Sequence, residues 1–166
     1  TTLADWVWPL VGKCAQNGFS VFLLGNMPGI AEKAALKFKE RYPALDVVGA
    51  QHGFFDLSAG STDNAAVVER INAAKPDLLL VGLGMPLQER WLSENWSLLD
   101  VHVAITCGAL FEIISGDLKR GPKWMTDNYL EWLSRIQISP RRVLVRYLRD
   151  IPLFYSRIIR QKFNAK

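Results

Sequence analysis

At 166 residues, 49% of them hydrophobic, the chain is long enough for one domain with a sizeable core and too apolar to be disordered. Its two cysteines, Cys14 and Cys107, stand far apart and outside any zinc or redox spacing, which argues against a disulfide framework and for a reducing compartment. The formal charge of +4 is lopsided: residues 1–118 carry 8 basic and 13 acidic side chains, a net −5, and residues 119–166 carry 12 and 3, a net +9.

In chain order, residues 3–17 read as a helix and 19–24 as a strand running into Gly25-Asn-Met-Pro-Gly29. Ala31, Ala34, Ala35 and Phe38 recur at helical spacing and predict a helix over 30–41, which Tyr42-Pro43 stops. Strands are predicted at 46–49 and 78–81, with a helix over 64–74 between them. A further helix begins at 86–95, and 101–106 forms a fourth strand ending at Cys107-Gly-Ala-Leu-Phe-Glu112. After residue 115 the strand pattern ceases. A basic, turn-rich connector leads into helical periodicity over 124–138 and, after Pro140, over 141–163. The repeated strand, loop, helix order predicts an α/β fold: a Rossmann-like, mostly parallel sheet flanked by helices, over residues 1–116. Residues 117–166 form a basic amphipathic helical appendage. No apolar run approaches the roughly 20 residues of a membrane-spanning helix, and no signal peptide opens the chain. A first residue other than Met fits a cut or processed N-terminus.

In open α/β sheets, ligands bind outside the carboxyl ends of the strands. The strand at 78–81 ends in Gly82-Leu-Gly-Met-Pro-Leu-Gln-Glu89, where Gly82 and Gly84 let backbone approach a ligand and Pro86, Gln88 and Glu89 supply shape and directional polar groups. The competing reading is a capped helix with Glu89 in its first turn. Gly25 and Asn26 open a second such loop, where backbone N–H groups and a helix dipole suit a phosphate, although a plain strand-to-helix turn explains it as well. It matches neither the P-loop nor the GxGxxG fingerprint, which weakens a nicotinamide-dependent alternative. His52-Gly-Phe-Phe-Asp56 offers an aromatic wall and a carboxylate, with His52 more readily structural than catalytic. Glu112 stands after the fourth strand, placed either to accept from ribose hydroxyls or to be solvated or capping. In the last third, Arg135, Arg141, Arg142, Arg146, Arg149, Arg157 and Arg160 interleave with aromatic and aliphatic residues at helical spacing. That mixture suits an anionic membrane surface or a diphosphate-bearing ligand better than nucleic acid, and an ordinary solvated helix is the bland alternative.

The ordered set Val21-Phe-Leu-Leu-Gly25, Gly53-Phe-Phe55, Gly82 to Glu89, Gly108-Ala-Leu-Phe-Glu112, Arg120-Gly-Pro-Lys-Trp-Met125, Leu130-Glu-Trp-Leu133 and Pro140-Arg-Arg142 resembles the WecG/TagA/CpsF glycosyltransferases over nearly the whole chain. The resemblance implies an inverting, metal-independent hexosyltransferase that needs no cofactor. It would move an N-acetylmannosamine-type sugar from a UDP-sugar to a polyprenyl-diphosphate-linked acceptor, in cell-surface polysaccharide synthesis. It implies a cytoplasmic protein, peripheral on the inner face of the cell membrane; a homo-oligomer stays open and no nucleic-acid partner is expected. Gln88 falls on the family's active-site glutamine and Glu112 on an aspartate near the nucleotide, one methylene longer here. Arg135 and Arg142 fall on arginines of the C-terminal appendage thought to close over the diphosphates. A third such arginine corresponds to Val145, with Arg146 adjacent.

Departure of UDP concentrates negative charge, which cationic side chains can neutralise; the chain has no Asp-x-Asp sequence or metal-type Asp/His cluster. Arg135 and Arg142 are therefore expected to be catalytic alongside Gln88, with Arg120, Lys123 and Arg146 contacting substrate. Gly25, Asn26, Gly82, Gly84, Pro86, Glu89 and Glu112 complete the expected binding set. Family members carry, upstream of the region equivalent to Thr1, an Asn-Ala-Asp-Gly-like segment whose aspartate is the proposed base. This chain is expected to be a fragment or shortened homologue that begins after it, with Asp56 and Glu89 as fallback carboxylates. The alternative is a non-catalytic module that binds a UDP-sugar or the membrane.

Overall fold

The computed structural model describes residues 3–119, 121, 125 and 140–164. In chain order its elements are α1 (Leu3–Asn17), β1 (Ser20–Gly25), α2 (Ile30–Arg41), β2 (Asp46–Gln51), α3 (Thr62–Ala74), β3 (Leu78–Gly82), α4 (Leu87–Asn95), a 3-10 turn (Trp96–Leu98), β4 (Val103–Thr106), α5 (Leu110–Ser115) and α6 (Pro140–Asn164). The chain divides into two compact units, Thr1–Leu118 and Lys119–Lys166.

In the first unit four strands form one sheet in the order β2-β1-β3-β4, and every pairing is parallel. The α/β, Rossmann-like fold expected from the sequence is therefore present, with a sheet that is wholly parallel among the described residues. The central strands β1 and β3 are buried along their whole length, which explains why they read as continuous apolar runs rather than alternating ones. Alternate residues nevertheless serve opposite layers. Val21, Leu23, Leu78 and Leu80 pack with Val7 and Val11 of α1, Ala34 and Phe38 of α2, and Phe111 of α5. Phe22, Leu24, Leu79 and Val81 pack with Val67, Val68 and Ile71 of α3 and Trp91 of α4. The edge strands are less covered, Val103 at the start of β4 being half exposed.

Chain order and spatial order part company at β1, since β2 lies on one side of it and β3 on the other. Helices leaving β1 and β3 thus cover opposite faces of the sheet, opening a crevice between the two strand tips. The opposite ends of the same strands are stapled. Ser20 donates from its backbone N–H and its hydroxyl to one Asp77 oxygen, both at 2.8 Å, and its hydroxyl receives the Asp77 N–H at 3.0 Å.

The elements differ from expectation in a few places. Helix α5 was not expected: its six residues are too few to display a helical period. Helix α3 starts at Thr62 rather than Asn64, because the Ser61 hydroxyl caps it by accepting from the Asn64 N–H at 3.1 Å. Strand β2 runs on to Gln51, which pairs with Leu24. The helix expected over 124–138 lies outside the described residues.

In the second unit, α6 is a 25-residue helix with Pro152 inside it. Its Leu148, Ile151, Tyr155, Ile158 and Ile159 form a stripe at helical spacing and are all exposed. No helix among the described residues is long and apolar enough to cross a membrane.

Candidate active site

The loops after all four strands converge at the crevice, and Asn26 joins them. Its N–H donates to Gly82 O at 3.0 Å and its carbonyl receives the Gly53 N–H at 2.8 Å, so the tips of β1, β2 and β3 share one residue's backbone. Its side-chain Nδ2 reaches Gly108 O, beyond β4, at 3.4 Å. Asn26 sits at φ 62°, a left-handed conformation that Asn tolerates better than most residues. Gly25 before it has φ 136°, and a Cβ there would lie 2.4 Å from the Gly82 carbonyl. Only glycine permits that approach.

Gln88, in the first turn of α4, is 6% exposed. Its Oε1 receives the Gly108 N–H at 2.9 Å, and its Nε2 donates to Glu89 Oε1 at 2.7 Å. Helix α4 is itself fixed against α3 by a buried network. Trp91 Nε1 donates to Asn64 Oδ1 at 2.7 Å, Asn64 Nδ2 donates to Asn95 Oδ1 at 2.7 Å, and Asn95 Nδ2 donates to Trp91 O at 2.8 Å. Every buried side-chain amide there has partners, which makes the joint stiff.

Between the loops lies an open cleft of about 400 Å³, of a size for a small-molecule ligand, with Asn26, Gly82, Gly84, Gly108, Ala109 and Glu112 among its lining residues. Met27, Phe54, Leu57, Leu83 and Leu87 contribute an apolar wall. A smaller hollow of about 160 Å³ beside it shares Leu57 and Leu87.

Of the residues expected at the site, the structure thus brings Asn26, Gly82, Gly84 and Glu112 to the cleft, with Gly25 packed behind Gly82. Gln88 stands behind the wall, one hydrogen bond away through Gly108. Glu89 is exposed, and Pro86, joined to Met85 by a cis peptide bond, is exposed as well. Arg120, Lys123 and Arg135 lie outside the described residues, and Arg142 and Arg146 lie on α6, where only the backbone is described. His52 accepts the Phe54 N–H at Nδ1, 3.2 Å away, which gives it a structural task. Asp56 is held below the usual carboxylate range by the Ser58 hydroxyl and N–H, which weakens it as a base. Burial pushes the Cys107 thiol far up, leaving it inert at the cleft edge. Among the described residues no three His, Cys, Asp or Glu side chains converge as a metal site. Sequence reasoning missed the Asn64–Trp91–Asn95 network, whose partners are 27 and 31 residues apart and carry no local signal.

A family model described as "Glycosyl transferase WecG/TagA/CpsF family" matches residues 1–166. The chain belongs to this family. A curated relative from Staphylococcus aureus (strain MRSA252), named N-acetylglucosaminyldiphosphoundecaprenol N-acetyl-beta-D-mannosaminyltransferase, is 32% identical over 161 residues, covering 95% of this chain and 60% of the relative. A Bacillus subtilis (strain 168) protein of the same name is 28% identical over 157 residues, covering 95% of this chain and 58% of its own length. The chain therefore spans about three fifths of the relatives it matches. The resemblance drawn from the glycine loops and the Gln88 motif holds at the level of the family.

Proposed function

We propose that this chain provides the nucleotide side of a glycosyl transfer site that moves an N-acetylmannosamine-type sugar from a UDP-sugar to N-acetylglucosamine on a polyprenyl diphosphate. The observation that carries the reading is the cleft at the switch point between β1 and β3, in a chain whose family and named relatives are glycosyltransferases. The apolar wall suits a nucleobase, and Asn26 and Glu112 offer acceptors to ribose or sugar hydroxyls. Transfer with inversion requires a base for the acceptor hydroxyl and positive charge for the departing diphosphate. Arg135 and Arg142, with Arg120, Lys123 and Arg146, supply that charge, so the transfer runs without a metal ion. Asp56 and Glu89 are the fallback carboxylates for that base, each already accepting a hydrogen bond, from the Ser58 N–H at 2.9 Å and from Gln88 Nε2 at 2.7 Å. The acceptor lies in a membrane, and the exposed apolar stripe of α6, on a segment of net charge +9, rests on the anionic inner face of the bilayer.

The test is UDP release from UDP-N-acetylmannosamine with an N-acetylglucosaminyl polyprenyl diphosphate acceptor in detergent. Turnover without added metal, and not with acceptor omitted, is expected. Donor binding with no turnover would reduce the chain to a binding module, and absence of donor binding would end the reading altogether.

A further inference from the structure

The backbone of Gly108 is held through both of the peptide groups that flank its Cα. Its N–H donates to Gln88 Oε1 at 2.9 Å, and its carbonyl receives Asn26 Nδ2 at 3.4 Å. Gly108 itself sits at φ 53°, a left-handed conformation that a chain leaves easily unless something retains it. Gly82 leaves room for the Asn26 bond: a Cβ there would lie 2.9 Å from Gly108 O and 3.0 Å from Asn26 Nδ2. The orientations of both side-chain amides follow from chemistry, because a backbone N–H can only donate and a carbonyl can only accept. Gln88 must turn its oxygen to Gly108, which leaves its Nε2 to Glu89. Asn26 must turn its nitrogen to Gly108, which leaves Oδ1 without a partner among the described residues, in a side chain that lines the cleft.

We infer that Asn26 and Gln88 are a pair of positioning residues that clamp the two peptide groups on either side of the Gly108 Cα and so set the floor of the nucleotide cleft. Gln88 serves the reaction through Gly108 and Glu89, with both ends of its amide already committed, rather than by touching the transferred sugar. This rests on the proposed function in one respect, the identity of the ligand, but the clamp itself is independent of it.

Three variants of the 166-residue chain separate the alternatives. Gln88→Ala removes both bonds of that amide. Gln88→Glu keeps an oxygen for the Gly108 N–H and sets a second carboxylate against Glu89, so that the pair must share a proton. Asn26→Gly removes the second holder without straining the left-handed backbone. Amide hydrogen exchange at Gly108, read by NMR, is expected to quicken about tenfold in Gln88→Ala and in Asn26→Gly and to stay near the parent rate in Gln88→Glu. UDP affinity, measured by calorimetry, is expected to fall about tenfold in the first two and to be rescued in Gln88→Glu. UDP lacks the transferred sugar, so a glutamine that contacted only that sugar would leave UDP affinity unchanged in both Gln88 variants. Unchanged Gly108 exchange in Gln88→Ala and Asn26→Gly would overturn the clamp, and faster exchange with unaltered UDP affinity would overturn its role in the cleft. If the parent chain binds no UDP, the functional reading fails while Gly108 exchange still decides the clamp.

Discussion

The tightest steric constraint on the crevice is at Gly25, where φ 136° and a Gly82 carbonyl 2.4 Å from the position of a Cβ leave no room for a side chain. The obstacle is backbone on a central strand, which cannot step aside. Gly25→Ala should therefore lower stability by about 3 kcal/mol, read as the urea midpoint, whereas a loss under about 1 kcal/mol would show that the strand tips can part. The buried amide network gives a second residue-scale prediction. Asn64→Ala strands the Trp91 indole N–H and one oxygen of Asn95 in the core and should cost about 2–4 kcal/mol in the same assay. Acid sensitivity follows from Asp77. Its carboxyl is held below the usual range first by the Ser20 N–H, then by the Ser20 hydroxyl, with His102 adding a smaller pull. A lowered folded pKa stabilises fully above the ordinary carboxylate value and loses that contribution as the pH drops through the folded one. The stability gap between the parent chain and Asp77→Asn should thus be full at neutral pH and close as the pH falls below the ordinary carboxylate value of about 4 in urea titrations; a gap independent of pH would assign the effect to lost geometry instead.

At the scale of elements, α6 is the one whose surface demands a partner. Leu148 is 70% exposed and Tyr155 60%, on the same stripe as Ile151 and Ile158. Introducing glutamate at Ile151 and Ile158 together should reduce co-sedimentation with anionic vesicles about tenfold or more while leaving the far-ultraviolet circular dichroism of the α/β unit intact. Unchanged sedimentation would remove the membrane from the proposal. The sequence shows α6 clearly because its 25 residues repeat the helical period many times. Strands β1 and β3 are equally legible, their apolar runs being the direct trace of burial on both faces. Helix α5 is illegible for the opposite reason, and so is the cap that starts α3 two residues early. The candidate site divides the same way. Glycines at Gly25, Gly82 and Gly84 announce tight loops by residue type alone, but the sequence cannot say that Gln88 turns its amide toward Gly108 rather than toward open solvent. That depends on a contact 20 residues away in the chain.

At the scale of the whole molecule, charge and architecture divide at one place. The unit Thr1–Leu118 carries −5 and the unit Lys119–Lys166 carries +9. Binding to anionic vesicles should accordingly weaken as salt is raised from 50 mM to 500 mM, roughly the range over which the screening length shrinks below the size of a side chain. Retention at high salt would assign the affinity to the apolar stripe alone. Ligand linkage gives the complementary measurement on the other unit. At a UDP concentration about 100-fold above its dissociation constant, the α/β unit should gain about 2.7 kcal/mol against urea, and no gain would count against the cleft as a nucleotide site.

The staple between Ser20 and Asp77 also bears on how the chain is made. These residues are 57 positions apart, and the strands they begin are direct neighbours in the finished sheet, although β2 and α3 are synthesised between them. On a ribosome adding roughly 5–20 residues per second, β1 waits several seconds for its partner, presenting Val21-Phe-Leu-Leu24 with one edge unpaired. During that interval β2 can shield only the other edge. Nascent chains halted shortly after α3 should therefore be the ones most readily bound by chaperones that recognise extended apolar segments, and release should coincide with the emergence of Leu78 to Val81.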